Sequence, residues 1–479
     1  MGVLEHLQPS SVFRFFEELS AIPRGSTNTK AVSDWCVAFA KERNLEHYQD
    51  SANNVIIIKE ATPGYENADP IILQGHLDMV CEKAPDCTKD MEKEGIDLLV
   101  DGDWVRAKGT TLGGDNGIAV AMALAVLDAK DLAHPRVEVV LTTDEEIGML
   151  GAVELDMSPL KGRKLINIDS EEEGIFTVSC AGGNMTRCHL PLVRAPFSGT
   201  AWKITVKGLL GGHSGVEIDK GRANANMLMG RLLYAAQKKT QLRLVSVAGG
   251  NKDNAIPRES QALLLTENVD ALRAVVAEME ATFQHEYRST DPGVAVTVEN
   301  ASTDQLPMDE ASTLKAITLL TCMPDGVQVM SPDIAGLVQT SLNLGILTTE
   351  EKELQASFCI RSSVATQKQM LVNRIACLMQ LMGGCIDISG DYPAWEYKKD
   401  SALRDLMVEV FRKQYGRDPQ ISAIHAGLEC GMFAGKLPGL DCVSIGPDMS
   451  EVHTYHESLS ISSVQRVWDF LVEVLRCSK

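Results

Sequence analysis

V-V-L-T-T-D-E-E at residues 139–146 is an apolar, strand-like run that ends in three carboxylates, with Gly148 just beyond them. The end of a strand in an α/β protein is where ligands bind. Glu145 and Glu146 stand side by side there, and crowded like charges are costly unless a proton or a cation relieves them. The stretch therefore predicts a metal site, with one Glu as ligand and its neighbour as general base, or else an ordinary solvated acidic turn.

Length and composition limit the classes of protein to which the chain can belong. Its 479 residues exceed one ordinary core, so two or three domains are expected. A net charge of -20 disfavours nucleic acid and anionic membrane surfaces as partners. No secretory signal is visible, and no apolar stretch approaches the ~18 residues of a membrane span, so a cytoplasmic protein is expected. The 12 cysteines form no C-x-x-C pair, and those in apolar segments, such as Cys322, Cys359 and Cys377, are predicted to be reduced thiols in the core.

The order of strand and helix patterns divides the chain into three segments. Strands alternate with helices over residues 1–182, which predicts a parallel or mixed sheet covered on both faces. From 183 to 395 the pattern becomes α+β, in two similar sets whose residues do not repeat recognisably. The α/β pattern returns over 396–479. We therefore predict an α/β catalytic domain built from 1–182 and 396–479, with an inserted α+β domain of doubled pattern at 183–395.

Further acids and imidazoles follow other strand-like segments of the same α/β domain. Q-G-H-L-D at 74–78 places His76 and Asp78 on one side of an extended chain, although a surface pair would give the same pattern. T-L-G-G-D-N-G at 111–117 places Asp115 at the start of an apolar helix, where it could also be a simple N-cap. This segment lacks the G-K-[ST] ending of a phosphate-binding loop.

Two more segments complete the set of candidate metal ligands. Asp169 ends another apolar strand, where an Asp can also start a turn. H-T-Y-H-E at 453–457 supplies two further imidazoles. A set of two histidines and three carboxylates drawn from these segments suits a pair of divalent ions, and imidazole ligands favour zinc.

These residues, in this order, resemble the M20 metallopeptidases over nearly the whole chain. Within that family the chain is most similar to the branch of cytosolic aminoacyl-histidine dipeptidases. The resemblance implies a zinc-exopeptidase α/β catalytic domain with a mixed sheet and an inserted α+β lid. The phrases that carry it are S-A-I-P-R-G-S at 20–26, Q-G-H-L-D-M-V at 74–80, G-T-T-L-G-G-D-N-G at 109–117, T-D-E-E-I-G-M at 143–149 and H-A-G-L-E-C-G at 425–431.

The resemblance also implies two Zn²⁺ per chain, with Co²⁺ or Mn²⁺ able to substitute. Asp115 would bridge the ions, and its peptide bond to Asn116 is expected to be cis. The preferred histidine near the C-terminus is His456, because it directly precedes Glu457, whereas His453 is expected to be structural. The other expected ligands are His76 and Asp169 for one ion and Glu146, with His456, for the other.

Roles in catalysis and substrate binding follow from the same resemblance. Asp78 would orient His76, and Glu145 would be the general base. In the lid, G-G-H-S-G at 211–215 places His213 as the residue that stabilises the oxyanion. The positions that would hold the carboxylate end of the substrate are Asn254, Arg361 and Gly427, for which surface charge or simple turns are the alternatives.

The sequence thus predicts a di-zinc dipeptidase that hydrolyses aminoacyl-histidine and other dipeptides with a metal-activated water. The alternative within the family is an N-acyl amino acid amidohydrolase. An alternative of another class is a binding or scaffold protein that kept the fold and lost catalysis. Small dipeptides are the expected partners, and both a monomer and a homodimer are compatible with a doubled lid, with a homodimer favoured.

Overall fold

The computed structural model describes residues 2–479, which form two compact units. Unit 1 consists of the described residues up to Ser179, together with Tyr397–Ala423 and Leu428–Lys479. Unit 2 consists of Cys180–Glu396 and Ile424–Gly427.

The strands are numbered in chain order. The first segment of unit 1 contains β1 (Glu46–Gln49), β2 (Val55–Lys59), β3 (Ile71–His76), β4 (Leu98–Asp101), β5 (Trp104–Ala107), β6 (Val137–Thr142), β7 (Lys164–Asn167) and all but the last residue of β8 (Ile175–Cys180). Unit 2 contains β9 (Gly182–Pro191), β10 (Thr200–Lys207), β11 (Gly212–His213), β12 (Leu242–Gly249), β13 (Ala255–Ile256), β14 (Ser260–Thr266), β15 (Ala295–Asn300), β16 (Gly326–Met330), β17 (Val338–Thr349), β18 (Glu353–Ser362) and β19 (Cys385–Tyr392). The last segments contain β20 (Gln420–Ile424), β21 (Asp441–Ser444), β22 (Met449–Ser450) and β23 (Ser458–Ser460).

The helices divide between the units in the same way. Unit 1 begins with α1 (Ser10–Ser20), α2 (Lys30–Glu42), α3 (Gly114–Asp128) and α4 (Leu150–Glu154). Unit 2 has α5 (Ala225–Gln237), α6 (Val269–Glu286), α7 (Glu310–Cys322) and α8 (Ala365–Met382), with a short 3-10 helix at Ile218–Lys220. Unit 1 ends with α9 (Ala402–Tyr415), α10 (Glu429–Lys436) and α11 (Ile461–Cys477).

Unit 1 is built on an eight-stranded mixed sheet in the order β1-β2-β6-β3-β7-β21-β8-β20. The central strand β3 is parallel to both β6 and β7, and β21 is parallel to β7. Strands β1 and β2 pair antiparallel at one edge. Every residue of β3, β6 and β21 is buried, as in a sheet covered on both faces. The mixed α/β fold predicted from the sequence is therefore confirmed.

Helix α3 packs closely against β3. Its residues are buried on all sides from Asn116 to Leu127, as expected of a helix that is apolar all round. A Cβ added at Gly75 of β3 would lie 2.6 Å from the Cβ of Ala119, so this approach of helix to strand requires glycine. The peptide bond between Asp115 and Asn116 is cis, as predicted.

Unit 2 contains a nine-stranded sheet in the order β15-β10-β14-β12-β17-β18-β9-β19, with β16 added beside β17. Burial alternates along β14, which is typical of a sheet with one covered face. Side chains of α5 to α8 share its hydrophobic core with the strands. The two sets of similar pattern meet where Gly249 of β12 pairs with Leu347 of β17, so they form one continuous sheet.

The unit boundary near the C-terminus differs from the domains drawn from the sequence pattern. The segment Ile424–Gly427 groups with unit 2, whereas the pattern assigned it to the catalytic domain. Long-range hydrogen bonds link this segment to unit 2, since the Ala181 N–H donates to the carbonyls of Ile424 (3.2 Å) and Ala426 (3.0 Å).

All 12 cysteines are free thiols, but two of those predicted to lie in the core do not. Cys359 is buried, whereas Cys322 and Cys377 are exposed. Both exposed thiols lie outside the buried stripes of the amphipathic helices α7 and α8. Within residues 2–479, none of the helices has the length and apolar character needed to cross a membrane.

Candidate active site

One imidazole and several acids lie at the carboxyl ends of three parallel strands of the unit 1 sheet. β3 ends at His76, whose register partner is Thr142 at the end of β6. Glu145 and Glu146 follow β6 within four residues, and Asp169 follows β7 by two. Because parallel strands place their carboxyl ends together, residues far apart in sequence meet here.

Asp115 lies between two imidazoles in this cluster. Its Oδ1 is 3.1 Å from His76 Nε2, and its Oδ2 is 3.0 Å from His453 Nε2. Asp169 Oδ1 lies 3.5 Å from the same nitrogen of His76. Glu146 Oε2 lies 3.1 Å from His453 Nε2. Each imidazole therefore shares Asp115 and has one further carboxylate of its own.

The donor set fits a divalent metal ion. Ligand atoms of His76, Asp115 and Glu146 all lie within 4.8 Å of one another. The Glu146 Oε1 atom is buried, and it has no hydrogen-bond partner among the described residues. Imidazole nitrogens combined with carboxylate oxygens are donors that zinc accepts.

His453, rather than His456, contacts this cluster, which reverses the preference stated from the sequence. His453 lies between β22 and β23 with φ +63°, a left-handed turn conformation. The Glu457 carboxylate accepts the N–H groups of Leu112 (2.8 Å) and Gly113 (3.0 Å), which ties this turn to the loop before Asp115. The backbone carbonyl of His456 accepts a hydrogen bond from Arg106, its N–H donates to the Thr454 hydroxyl, and its ring contacts the adjacent Tyr455.

Asp78 connects several parts of the cluster from behind. It is fully buried, and its Oδ1 is 3.4 Å from His76 Nδ1. Its carboxylate accepts the backbone N–H groups of Glu145 (3.1 Å) and Glu146 (3.3 Å). The hydroxyl of Ser26 donates a further hydrogen bond of 2.8 Å. One carboxylate therefore fixes both an imidazole and the turn that carries the paired glutamates.

Burial and crowding shift the pKa values in the cluster. Burial, with the negative charges of Asp169 and Glu429, raises the pKa of Glu145 to about 9. Burial also raises the pKa of Asp169 to about 6, although its hydrogen bond with His76 opposes the rise. Burial alone would lower the pKa of His76, but its hydrogen bonds with Asp115 and Asp169 raise that pKa well above the usual value. All three shifts favour the protonated forms, so the crowded carboxylates favour a bound proton or cation in this cluster.

Glu429 is a buried acid of this region that sequence reasoning left without a role. Its Oε2 accepts hydrogen bonds from Gln74 Nε2 (2.6 Å) and Thr142 Oγ1 (2.7 Å). Burial raises its pKa to about 7. These partners are 355 and 287 positions away in sequence, so no local signal marks the contact.

His213 lies on the short strand β11, and Asn254 is the turn residue directly before its partner strand β13, both in unit 2. His213 of β11 pairs with Ala255 of β13, and the Ser214 N–H donates to the Asn254 carbonyl at 2.8 Å. The sequence placed these two residues 41 positions apart with no visible link, and the β11–β13 pairing brings them together.

The imidazole of His213 is held in one tautomer. Its Nδ1 accepts the N–H groups of Gly215 and Val216, each at 3.2 Å. Burial and the charge of Arg361 lower the pKa of His213, which favours the neutral ring. A neutral ring with an accepting Nδ1 carries its proton on Nε2, so that nitrogen is a hydrogen-bond donor.

Arg361 and Gly427 are the other predicted substrate-binding residues, and both belong to unit 2. Arg361 lies on β18 and is only 7% exposed. Its Nη1 donates a 3.0 Å hydrogen bond to the hydroxyl of Tyr392. Gly427 ends the segment held by Ala181. A guanidinium this buried commonly binds an anionic group.

Comparisons with known proteins identify the family of the chain. The family model described as Peptidase family M20/M25/M40 matches residues 72–476. The chain is 37% identical to the cytosol non-specific dipeptidase of Escherichia coli (strain K12), over 99% of both chains. It matches the crystal structure of an aminoacylhistidine dipeptidase from Vibrio alginolyticus with a TM-score of 0.94 and 38% identity, over 99% of this chain and 98% of that one.

A more distant structure shares the fold. Aminopeptidase PepT from Bacillus cereus matches with a TM-score of 0.56 and 15% identity, over 98% of each chain. The full-length similarity to the dipeptidases and the family match over most of the sequence lead to one conclusion. The chain belongs to peptidase family M20/M25/M40.

Proposed function

We propose that this chain is a metal-dependent dipeptidase that hydrolyses aminoacyl-histidine and other dipeptides. The observation that carries the proposal is the cluster in unit 1, where Asp115 lies between His76 and His453. The relatives from E. coli and V. alginolyticus, whose names describe dipeptidases, match 99% of the chain and support the same reaction class.

Two Zn²⁺ ions are the proposed cofactors. His76 and Asp169 would hold one ion, Glu146 and His453 the other, and Asp115 would be shared. His453 takes the place that the sequence gave to His456, because of its contacts with Asp115 and Glu146. When bound, the ions would lower the pKa of a water molecule and polarise the scissile carbonyl. Co²⁺ or Mn²⁺ would suit the same donors.

Glu145 is the proposed general base. Its carboxylate would take a proton from the attacking water and pass it to the leaving amine. Its backbone N–H and that of Glu146 are both bonded to Asp78, so the base and the neighbouring ligand are held by one carboxylate. This arrangement supports a division of labour between the adjacent glutamates.

The residues of unit 2 would bind the substrate. His213 would donate from Nε2 to the oxygen that becomes negative as the carbonyl is attacked. Arg361 would bind the free carboxylate of the dipeptide, since a guanidinium can donate two parallel hydrogen bonds to it. Asn254 and the backbone of Gly427 would complete that contact. Recognition of a free carboxylate favours a dipeptidase over an endopeptidase.

Location and assembly are further parts of the proposal. The name of the E. coli relative describes a cytosolic enzyme, and we extend that location to this chain. A homodimer is proposed, and light scattering of the purified protein would decide between one and two chains.

The experiment that tests the function is hydrolysis of β-alanyl-histidine and of α-aminoacyl-histidine dipeptides by the purified protein. The assay is repeated after treatment with a chelator and after Zn²⁺ is added back. We expect cleavage that the chelator abolishes and zinc restores. Turnover of N-acyl amino acids without cleavage of any dipeptide would instead identify the related amidohydrolase.

A further inference from the structure

His425 is a buried imidazole that has no part in the proposed function above. It is 5% exposed and belongs to the segment 424–427 of unit 2. Its Nε2 is 2.7 Å from the hydroxyl of Ser341, which is itself buried. The other ring nitrogen, Nδ1, is also buried and has no hydrogen-bond partner among residues 2–479.

The hydrogen bond to Ser341 places this imidazole close to Arg361. Ser341 of β17 and Arg361 of β18 are direct partners in the antiparallel register, so their side chains share one face of the sheet. Arg361 Nε is likewise buried without a hydrogen-bond partner in the described chain. Two buried nitrogen atoms, Nδ1 of His425 and Nε of Arg361, therefore lack hydrogen-bond partners in the same small region. Leaving them unpaired is costly unless a ligand binds them.

The same face of β17 also fixes the loop that carries Asn254. Asn343 is two residues after Ser341, so its side chain lies on the same face. Its Nδ2 donates to the carbonyls of Asp253 (3.1 Å) and Ala255 (2.9 Å), on either side of Asn254. Adjacent side chains of one strand thus hold the imidazole and the Asn254 loop.

The charge around His425 favours an anionic ligand. Burial and the positive charge of Arg361 lower the pKa of His425 to about 3, so the ring is neutral at ordinary pH. When the Ser341 hydroxyl donates to Nε2, the single ring proton lies on Nδ1, which then becomes a donor. An N–H donor beside a buried guanidinium matches a carboxylate, which accepts several hydrogen bonds at once.

We propose that His425 is a substrate-recognition residue, whose Nδ1–H donates to the dipeptide carboxylate that Arg361 binds, and that Ser341 fixes the orientation of its ring. The inference rests on the proposed dipeptidase function and adds a determinant of the preference for a free carboxylate. An imidazole with a purely structural role would contribute to folding but would leave that preference unchanged.

The test compares a dipeptide with its C-terminal amide, using the zinc-loaded protein and the variants His425→Ala and Ser341→Ala. His285→Ala, at an exposed histidine of α6, is the matched control. In His425→Ala we expect KM for the dipeptide to rise about 10-fold to 100-fold, because a hydrogen bond to a charged group is lost. We expect kcat to stay within about 3-fold. The preference for the dipeptide over the amide should fall by the same factor as KM rises.

Ser341→Ala keeps the imidazole and loses its hydrogen bond, so it should show a smaller change in the same direction. It keeps the inference testable if His425→Ala fails to fold. A wild-type protein that cleaves dipeptides, with variants whose KM and amide discrimination are unchanged, would overturn this inference and leave the dipeptidase function standing. Absence of dipeptide cleavage by the zinc-loaded wild type would overturn both.

Discussion

His453 Nε2 lies 3.0 Å from Asp115 Oδ2, across 338 positions of sequence. The contact joins the turn between β22 and β23 to the start of α3. It puts a second imidazole on a carboxylate whose other oxygen already contacts His76. The contact thus gives the cluster two similar halves, each with one imidazole and one further carboxylate.

Replacing His453 should remove metal and activity together, whereas replacing His456 should not. His453→Asn is the better variant, because Asn tolerates the positive φ of this position. We expect kcat/KM to fall by more than about 100-fold, since even residues that only support a ligand affect metal sites by ~10-fold to 100-fold. Metal content per chain, measured by mass spectrometry of the digested protein, should fall with it.

His456→Asn is the matched control, with the same chemical change three residues away. It should keep its metal content and an activity close to wild type. The opposite result, with metal lost only in His456→Asn, would return the ligand role to the residue favoured by the sequence.

Replacing Asp78 should weaken metal binding without removing any proposed ligand. Asp78→Asn keeps the size of the side chain but loses the negative charge that pairs with His76. It also loses one of the two oxygens that accept the backbone N–H groups of Glu145 and Glu146. We expect metal affinity to fall ~10-fold to 100-fold, as for other carboxylates that orient a ligating imidazole. Competition with a chromophoric chelator would measure it.

Ser26→Ala removes only one of the hydrogen bonds to Asp78. Its effect on metal affinity should be smaller than that of Asp78→Asn. Equal affinities in wild type and Asp78→Asn would contradict the orienting role.

Much of this architecture could be predicted from the sequence because the decisive signals are local. The apolar run before Glu145 predicts a strand, and β6 ends three residues before that glutamate. In a parallel sheet the carboxyl ends of neighbouring strands lie side by side, so acids after β3, β6 and β7 could be expected to meet. The apolar helix after Asp115 was equally visible in its composition.

What the sequence could not decide depends on contacts between distant residues. His453 and His456 are the same residue type in neighbouring positions, so the sequence does not distinguish them as ligands. The backbone turn anchored by Glu457 decides that His453 faces the cluster. The burial of Glu429 depends on Gln74 and Thr142, and the segment 424–427 joins unit 2 through hydrogen bonds from Ala181. None of these partners lies within reach of a local pattern.

Glu145→Gln should lower kcat strongly and keep the metal. Gln retains the shape of the side chain but cannot accept the proton from water, and general-base catalysis typically contributes about 10²–10⁴-fold to the rate. We expect kcat to fall within that range while metal content matches the wild type. Steady-state kinetics on an aminoacyl-histidine substrate, with metal analysis on the same sample, checks both.

Glu146→Gln provides the contrast, because it alters a proposed ligand instead of the proposed base. It should lower metal content, and added Zn²⁺ should restore part of its activity. Near-normal turnover by Glu145→Gln would contradict the assignment of Glu145 as the general base.

Asp325 should make the stability of unit 2 depend on pH. Its Oδ1 accepts hydrogen bonds from the Leu344 N–H (2.9 Å) and Asn224 Nδ2 (3.2 Å), but burial still raises its pKa from 3.8 to about 7. The folded chain therefore keeps a proton that the unfolded chain releases. The free energy of unfolding should fall as pH rises from about 4 through about 7, by ~1.4 kcal/mol for each pKa unit.

Asp325→Asn keeps an oxygen for both hydrogen bonds and removes the titration. Relative to wild type, this variant should gain up to about 4 kcal/mol of stability between about pH 4 and about pH 8, since the shift is about three pKa units. Urea unfolding followed at several pH values measures the difference, and Asp333→Asn at an exposed acid of unit 2 is the control. A difference between Asp325→Asn and wild type that stays constant with pH would show that the buried carboxyl group does not carry this penalty.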